Sequence, residues 1–296
     1  MTRPVLIMLN RPSSETAAHD DSAPALREAD PAVPQLSVLD LGATRGDGVF
    51  ETIAITAGRP QALGHHLDRF ARSAAAVGLP APDLTVWRDA VLAATARLAP
   101  AGEAYVKAVY THGVEGDGRP TGWVLAAPAP DFREQREHGI RVVTLDRGLR
   151  HDVERTSPWL LAGAKTLSYA INRAALREAT RRGADDVIFV SSDGLVLEGP
   201  TSTVVLRRGE ALLTPGTGLG ILDGTTQSRA FRFAEQHGLS TGFALIAPEE
   251  LAAADGLWLL SSSRLAAPVR ELDGVALPVD PGFTRALNEH LAEVAE

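Results

Sequence analysis

The chain of 296 residues contains no cysteine. That removes disulfide frameworks, thiolate metal sites and cysteine nucleophiles together. Lysine is nearly absent as well: Lys107 and Lys165 stand among 29 basic residues, and the rest are arginine. Arginine keeps its proton at accessible pH, so a lysine retained in such a sequence is where an amine nucleophile is sought. Positive charge is in deficit, with a formal net charge of −8. This argues against nucleic acid as the main partner, because phosphate backbones are bound by clustered Lys and Arg. Apolar residues make up 45% of the chain, yet no apolar run reaches the roughly 18 residues of a membrane span. The first run, Val5–Leu9, is too short for a secretory h-region and has no small-residue cleavage site after it. The cytoplasm is the expected location. The length suits two domains, or one large one, with a substantial core.

Punctuation and periodicity divide the chain. Residues 11–35 are rich in Pro, Ser, Ala and Asp and read as a long loop after a first short strand. A strand pattern from Gly48 through Ile55 turns at Ala57-Gly58. Helices are expected over 65–77 and 84–98, and strands over 104–110 and 123–127. The polar stretch 128–139 is the candidate linker. Beyond it come a strand over 140–145 and a helix over 168–182, with Leu167, Ile171, Ala174 and Ala175 toward one face. A buried strand over 187–190 turns at Asp193-Gly194 into a returning strand over 195–198. Strands over 203–206, 211–213 and 258–260 and a helix over 226–237 follow.

The chemistry-bearing residues stand at the edges of these elements. Lys165 lies in LLAGAKTLSYA, with no other charge within four residues on either side. An apolar setting disfavours the ammonium form, as an imine-forming lysine requires, although a snorkelling lysine at a strand end reads the same way. Glu198 ends the apolar run LVLEG and is either a surface carboxylate or one with a partner, such as the protonated nitrogen of a pyridine ring. Gly224, Thr225 and Thr226 stand at a helix start, where backbone N–H groups and two hydroxyls make either an anion site or an ordinary cap. Ser261 to Ser263 add hydroxyls directly after a core strand, and Arg69 lies on the first helix, solvated or reaching an anion as a fork. Other motifs fail. GTGLG at 216–220 does not open a helix within a βαβ unit, and there is no GxSxG elbow, Walker loop or HExxH. His65, His66 and Asp68 are close in sequence, but adjacent histidines on a helix point apart, so no metal is expected.

Six segments in order, RGDGVFET (45–52), HLDRFARSA (66–74), AKTLSYAINRAALREA (164–179), DDVIFVSSDGLVLEGPTSTVV (185–205), LTPGTGLGILDGTTQSRAF (213–231) and LWLLSSSRLAAPVRELDG (257–274), resemble the class IV aminotransferases. These are the fold-type IV pyridoxal-phosphate enzymes, which include branched-chain and D-amino-acid aminotransferases and aminodeoxychorismate lyase. The resemblance runs over about residues 38–269. It implies an α+β, two-domain fold: a smaller N-terminal domain (1–135, with 11–35 as a loop insertion), a larger C-terminal cofactor-binding domain (136–296), and the cofactor cleft between them. It implies pyridoxal 5'-phosphate as cofactor and a homodimer in which the partner's N-terminal domain closes part of each site. By the same resemblance Lys165 matches the Schiff-base lysine, Glu198 the carboxylate on the pyridine nitrogen, and Arg69 the phosphate-binding arginine. Thr225 and Thr226 match the phosphate-cradling loop, and Ser262 a further donor. Tyr169 matches a tyrosine near the ring hydroxyl, four residues after the lysine where branched-chain enzymes have it five after.

Three departures bear on the reaction. Arg45 stands where a Tyr is usual and Thr52 where a Gly follows the FE pair; EGPTSTVV lacks the expected Asn; and Lys107 replaces a common strand Arg. DGVFET and KTLSYA are closer to sequences assigned as aminodeoxychorismate lyase. The expected reaction is therefore cleavage of 4-amino-4-deoxychorismate to pyruvate and 4-aminobenzoate, a folate-pathway step. Transamination of a D-amino acid, branched-chain amino acid or amine is the alternative, and an inactive cofactor-binding paralogue the third. A small-molecule amine is the expected substrate, and Arg45, Lys107 and Arg264, with Arg147 and Arg150, are candidate cations for its carboxylates.

Overall fold

The computed structural model describes residues 3–14, 24–98 and 102–293. The chain divides into two compact units. One runs to Pro130 and also takes in Ala164–Tyr169; the other comprises Asp131–Gly163 and Ala170–Glu293. The short segment that carries Lys165 thus packs with the first unit, although the sequence reading counts it with the second domain.

Among the described residues the first unit holds one sheet in the order β2-β1-β6-β5-β3-β4. Its strands are β1 (Val5–Leu9), β2 (Leu26–Ala29), β3 (Gly48–Thr56), β4 (Arg59–Pro60), β5 (Ala104–Thr111) and β6 (Thr121–Pro128). All their pairings are antiparallel. Alternation gives one face Val49, Ile53, Val106, Ala108, Tyr110, Val124 and Ala126, which form a core with Leu67, Phe70, Trp87 and Val91. Those last four come from two helices, Leu63–Ala76 and Leu84–Arg97. Asp83 caps the second helix by accepting from the N–H groups of Thr85 and Val86. Trp87 anchors the core: its ring packs edge-on against Phe70 and Tyr110, and its Nε1 donates to Pro12 O at 2.8 Å. Gly122 makes room for it, since a Cβ there would lie 3.0 Å from the indole.

The second unit holds a mixed sheet in the order β11-β10-β9-β12-β13-β7-β8 among the described residues. The strands are β7 (Ile140–Asp146), β8 (Asp186–Val190), β9 (Thr203–Arg208), β10 (Ala211–Pro215), β11 (Ser240–Ala244), β12 (Gly256–Ser261) and β13 (Leu265–Leu272), with β14 (Val275–Ala276) paired to β13. Helix Ala170–Arg181 packs Ala175 and Ala179 against Val187 and Phe189, and helices Thr225–Gln236 and Pro281–Ala292 build a separate cluster around Trp258. Among the described residues no helix is long and apolar enough to cross a membrane.

Several expectations need correcting. The 11–35 stretch is not all loop, because Leu26–Ala29 pairs with β1 as an edge strand. Its exposed Arg27 and Glu28 hide the strand pattern, and residues 15–23 lie outside the described residues. The candidate linker contains a helix, Arg133–His138, which belongs to the second unit. The returning stretch over 195–198 pairs antiparallel with the end of β8 through an isolated Val190–Val196 bridge and the bonds Leu197 N–H to Phe189 O and Phe189 N–H to Glu198 O, without extending into a full sheet strand. Helix 168–182 starts at Ala170, so Leu167 is not on it and Ile171 is exposed.

Trp87→Ala is expected to cost about 3–5 kcal/mol, combining lost transfer energy with a cavity. A fall in the urea midpoint at unchanged m-value checks this; no fall would remove Trp87 as the anchor.

Candidate functional site

The first unit contributes a lysine fixed by its backbone. β5 flanks β3 along its length, but on the other edge β4 pairs only with Ile55 and Thr56. The remaining edge is filled by residues 165–167. Phe50 N–H donates to Lys165 O at 3.0 Å, Leu167 N–H donates to Gly48 O at 2.8 Å, and Val49 opposes Thr166. Gly48 permits the approach, since a Cβ there would lie 2.9 Å from Leu167 Cδ1 and 2.5 Å from Tyr110 O. From the helix side, Ser73 Oγ accepts the Lys165 N–H at 3.1 Å.

The side chains gather on one ring. Lys165 Nζ lies 4.5 Å and Lys107 Nζ 5.5 Å from the centroid of Phe50, and Tyr169 meets the same ring edge-on at 5.4 Å. The two lysines of the sequence therefore share one aromatic surface, an arrangement that attracts ammonium groups. Burial pushes the pKa of Lys107 down. Lys107 stands opposite Thr52 in the β3–β5 register. Arg45 ends the short helix Leu41–Arg45 and is exposed; its neighbour Gly46 accepts the Ser168 hydroxyl at 3.2 Å.

Arg69 is buried against an anion of the protein itself. Its Nε and Nη2 donate to Glu51 Oε1 and Oε2 at 2.6 and 2.7 Å, and His66 Nδ1 lies 2.8 Å from Glu51 Oε2. Burial alone would raise the pKa of the Glu51 carboxyl. The charge and hydrogen bonds of Arg69, aided by His66, outweigh it and hold the group well below the usual carboxylate range. Burial likewise pushes the His66 imidazole down, against the pull of Glu51. The sequence reading passed over Glu51 and Ser73, and weighed His66 only as a metal ligand. The available signal was helical spacing: His66, Arg69 and Ser73 recur at intervals of three and four on a helix that buries all of them.

The second unit contributes a carboxylate and an anion cradle. Glu198 is half-buried and accepts the Leu222 N–H at 3.1 Å. Arg147 stacks on Phe189 at 5.0 Å; burial pushes its guanidinium pKa down, and the charge of Glu198 opposes that shift. Helix Thr225–Gln236 has Gly224 at its cap position, with no capping side chain. A Cβ on Gly224 would lie 2.5 Å from Thr203 Oγ1, so only glycine fits. Thr226 is buried and Thr225 half-buried at the first turn. Ser262 is half-buried in the turn after β12. Arg264, two residues on, is buried with its Nη2 2.7 Å from Asp186 Oδ2. That buried pair joins the turn before β13 to the start of β8, while Arg264 Nε and Nη2 make no hydrogen bond among the described residues. Thr203 and Ser202 escaped the sequence reading. Ser202 Oγ is buried with no hydrogen-bond partner among the described residues, which suits a hydroxyl that serves an anion.

The family model for class IV amino-transferases matches residues 48–272. The chain belongs to the class IV aminotransferase family. It is an enzyme of that family, whose members depend on pyridoxal phosphate. A bifunctional aminodeoxychorismate lyase / D-amino acid transaminase of Mycobacterium tuberculosis is 45% identical over 261 residues, covering 85% of this chain and 90% of that protein. The solved structure of a fold IV transaminase, CpuTA1, from Curtobacterium pusillum is 53% identical with a TM-score of 0.94, covering 98% of both chains. A hypothetical aminotransferase from Mycobacterium tuberculosis in its PLP-bound form is 41% identical with a TM-score of 0.87, covering 97% of each chain. The fold-type IV architecture follows from these matches.

The lowered pKa of Glu51 fixes a sign. Unfolded, Glu51 takes up a proton near its ordinary value of 4.5; folded, it resists until the pH is lower. The pair's stabilisation is complete above that range and is lost as pH falls through it. Between about pH 5 and pH 2 the wild-type urea midpoint is expected to fall more steeply than that of an Arg69→Met/Glu51→Gln double variant. Equal slopes would remove the Glu51 contribution.

Proposed function

We propose that this chain is a 4-amino-4-deoxychorismate lyase that works as a cytoplasmic homodimer, with D-amino-acid transamination as the second reading. The residues present fit pyridoxal phosphate: a primary amine on an aromatic surface, a half-buried carboxylate, an uncapped helix start bordered by the Thr203 hydroxyl, and, next to Thr203 in sequence, the buried and unpartnered hydroxyl of Ser202. Pyridoxal phosphate, when bound, supplies an aldehyde and a ring that takes up electrons from a breaking bond.

The chain's own groups divide the remaining work. Lys165 Nζ would hold the cofactor through its aldehyde carbon and, as a free amine, would take a proton and return it as general base and acid. Glu198 holds a proton at the ring nitrogen, because an ionised carboxylate favours a charged neighbour. Arg69, Thr225, Thr226 and Ser262 hold the phosphate, and Tyr169 stands by the ring hydroxyl. Lys107, with Arg45, takes a substrate carboxylate. Arg264, paired with Asp186, is a further candidate for that carboxylate.

The observation that carries this reading is the shared Phe50 ring, which carries Lys165 Nζ and a second amine, Lys107 Nζ, suited to an acidic substrate. The two activities of the 45% identical relative support both reactions. The 53% identical structure, a fold IV transaminase, favours the second. The two differ in stoichiometry. Lyase cleavage divides one substrate into pyruvate and 4-aminobenzoate with no second reactant, whereas transamination consumes a 2-oxo acid.

Two measurements test the proposal. With 4-amino-4-deoxychorismate alone, the enzyme is expected to release pyruvate and 4-aminobenzoate in equal amounts. A strict requirement for a 2-oxo acid acceptor would leave transamination as the function. Lys165→Ala is expected to lose the visible absorption band of the cofactor-loaded protein and more than about 1,000-fold in turnover. A visible spectrum matching wild type would remove Lys165 from its role.

A further inference from the structure

Arg69 is read above as a phosphate holder, yet the anion it grips within the first unit is Glu51. Both side chains are buried, at 6% and 1% exposure. The grip is two-pronged, through Nε and Nη2 onto the two carboxylate oxygens, so it fixes the plane of the guanidinium as well as its position. Glu51 is itself held: its backbone lies in β3, opposite Ala108 of β5, and His66 Nδ1 meets Oε2. A buried ion pair carries a desolvation cost that a well-packed apolar pair of similar volume avoids. Packing therefore does not account for it, and the fixed orientation is what it supplies. The next turn of the same helix carries Ser73, which holds the Lys165 backbone. One helix face thus orients both the arginine and the lysine.

We propose that Glu51 is a positioning residue that fixes the guanidinium plane of Arg69 and thereby sets the enzyme's preference for pyridoxal phosphate over unphosphorylated pyridoxal. This rests on the reading of Arg69 as a phosphate holder. Glu51 touches neither ligand; it acts through Arg69.

The test compares dissociation constants for pyridoxal phosphate and pyridoxal, titrated by absorbance on the full chain stripped of cofactor. Glu51→Gln is expected to reduce the preference for the phosphorylated ligand about tenfold, with pyridoxal affinity unchanged within about twofold. In an Arg69→Met background the same change is expected to alter the preference by less than about twofold, because its route of action is gone. Equal weakening of both ligands, or an undiminished effect of Glu51→Gln without Arg69, overturns the inference. If Arg69→Met alone leaves the preference intact, the phosphate reading of Arg69 is what fails. If Arg69→Met abolishes it and Glu51→Gln does not change it, the inference fails alone. Should Glu51→Gln not fold, Glu51→Asp keeps the charge and shortens the reach. A preference lowered about threefold supports the inference, and an unchanged preference overturns it.

Discussion

Two backbone hydrogen bonds on the edge of β3 hold the chemistry of the first unit in register. Phe50 N–H to Lys165 O and Leu167 N–H to Gly48 O dock the lysine segment as an extra, incomplete strand. A strand pair alternates its side chains between faces, so a slip of one residue there would turn Lys165 away from Phe50. The glycine at position 48 and the serine at position 73 constrain the same segment from different directions. The lysine is therefore fixed by the sheet rather than by its own long side chain, the part of a lysine that loses most entropy on ordering.

The same economy governs the charges. In the first unit a carboxylate, a guanidinium and an imidazole lie buried together, each with a partner. In the second, Arg264 and Asp186 form another buried pair. Removing one member of such a pair strands a charge in a poorly solvated place, and that costs far more than the intact pair contributes. The exposed pairs, such as Arg133 with Asp131 and Arg181 with Glu178, are solvated and short-range along the chain, and they contribute little.

Much of the architecture was legible in the sequence because periodicity records burial. The helix over 84–98 and the strands over 104–110, 140–145 and 203–206 carry clean apolar repeats, and they appear within a few residues of the expected ends. What escaped was structure that burial does not announce. Leu26–Ala29 is an exposed edge strand, paired through its backbone. Leu195–Glu198 has a strand's composition but pairs with β8 only through an isolated bridge. For the site, Lys165, Glu198 and the Gly224–Thr226 turn stood out because they interrupt apolar or glycine-rich runs. Glu51 and Ser73 did not, since their importance lies in contacts 18 and 92 residues away along the chain. Arg69 could be named from its motif, but its burial against Glu51 required the fold.

The scarcity of lysine has a practical consequence. Both ε-amines are half-buried and lean on the same phenyl ring, and every other basic side chain apart from histidine is arginine. Acylating reagents and amine-coupled supports therefore meet almost no competing side chain on this protein. The extent of such labelling reads the accessibility of that ring directly, with little background from the outer shell.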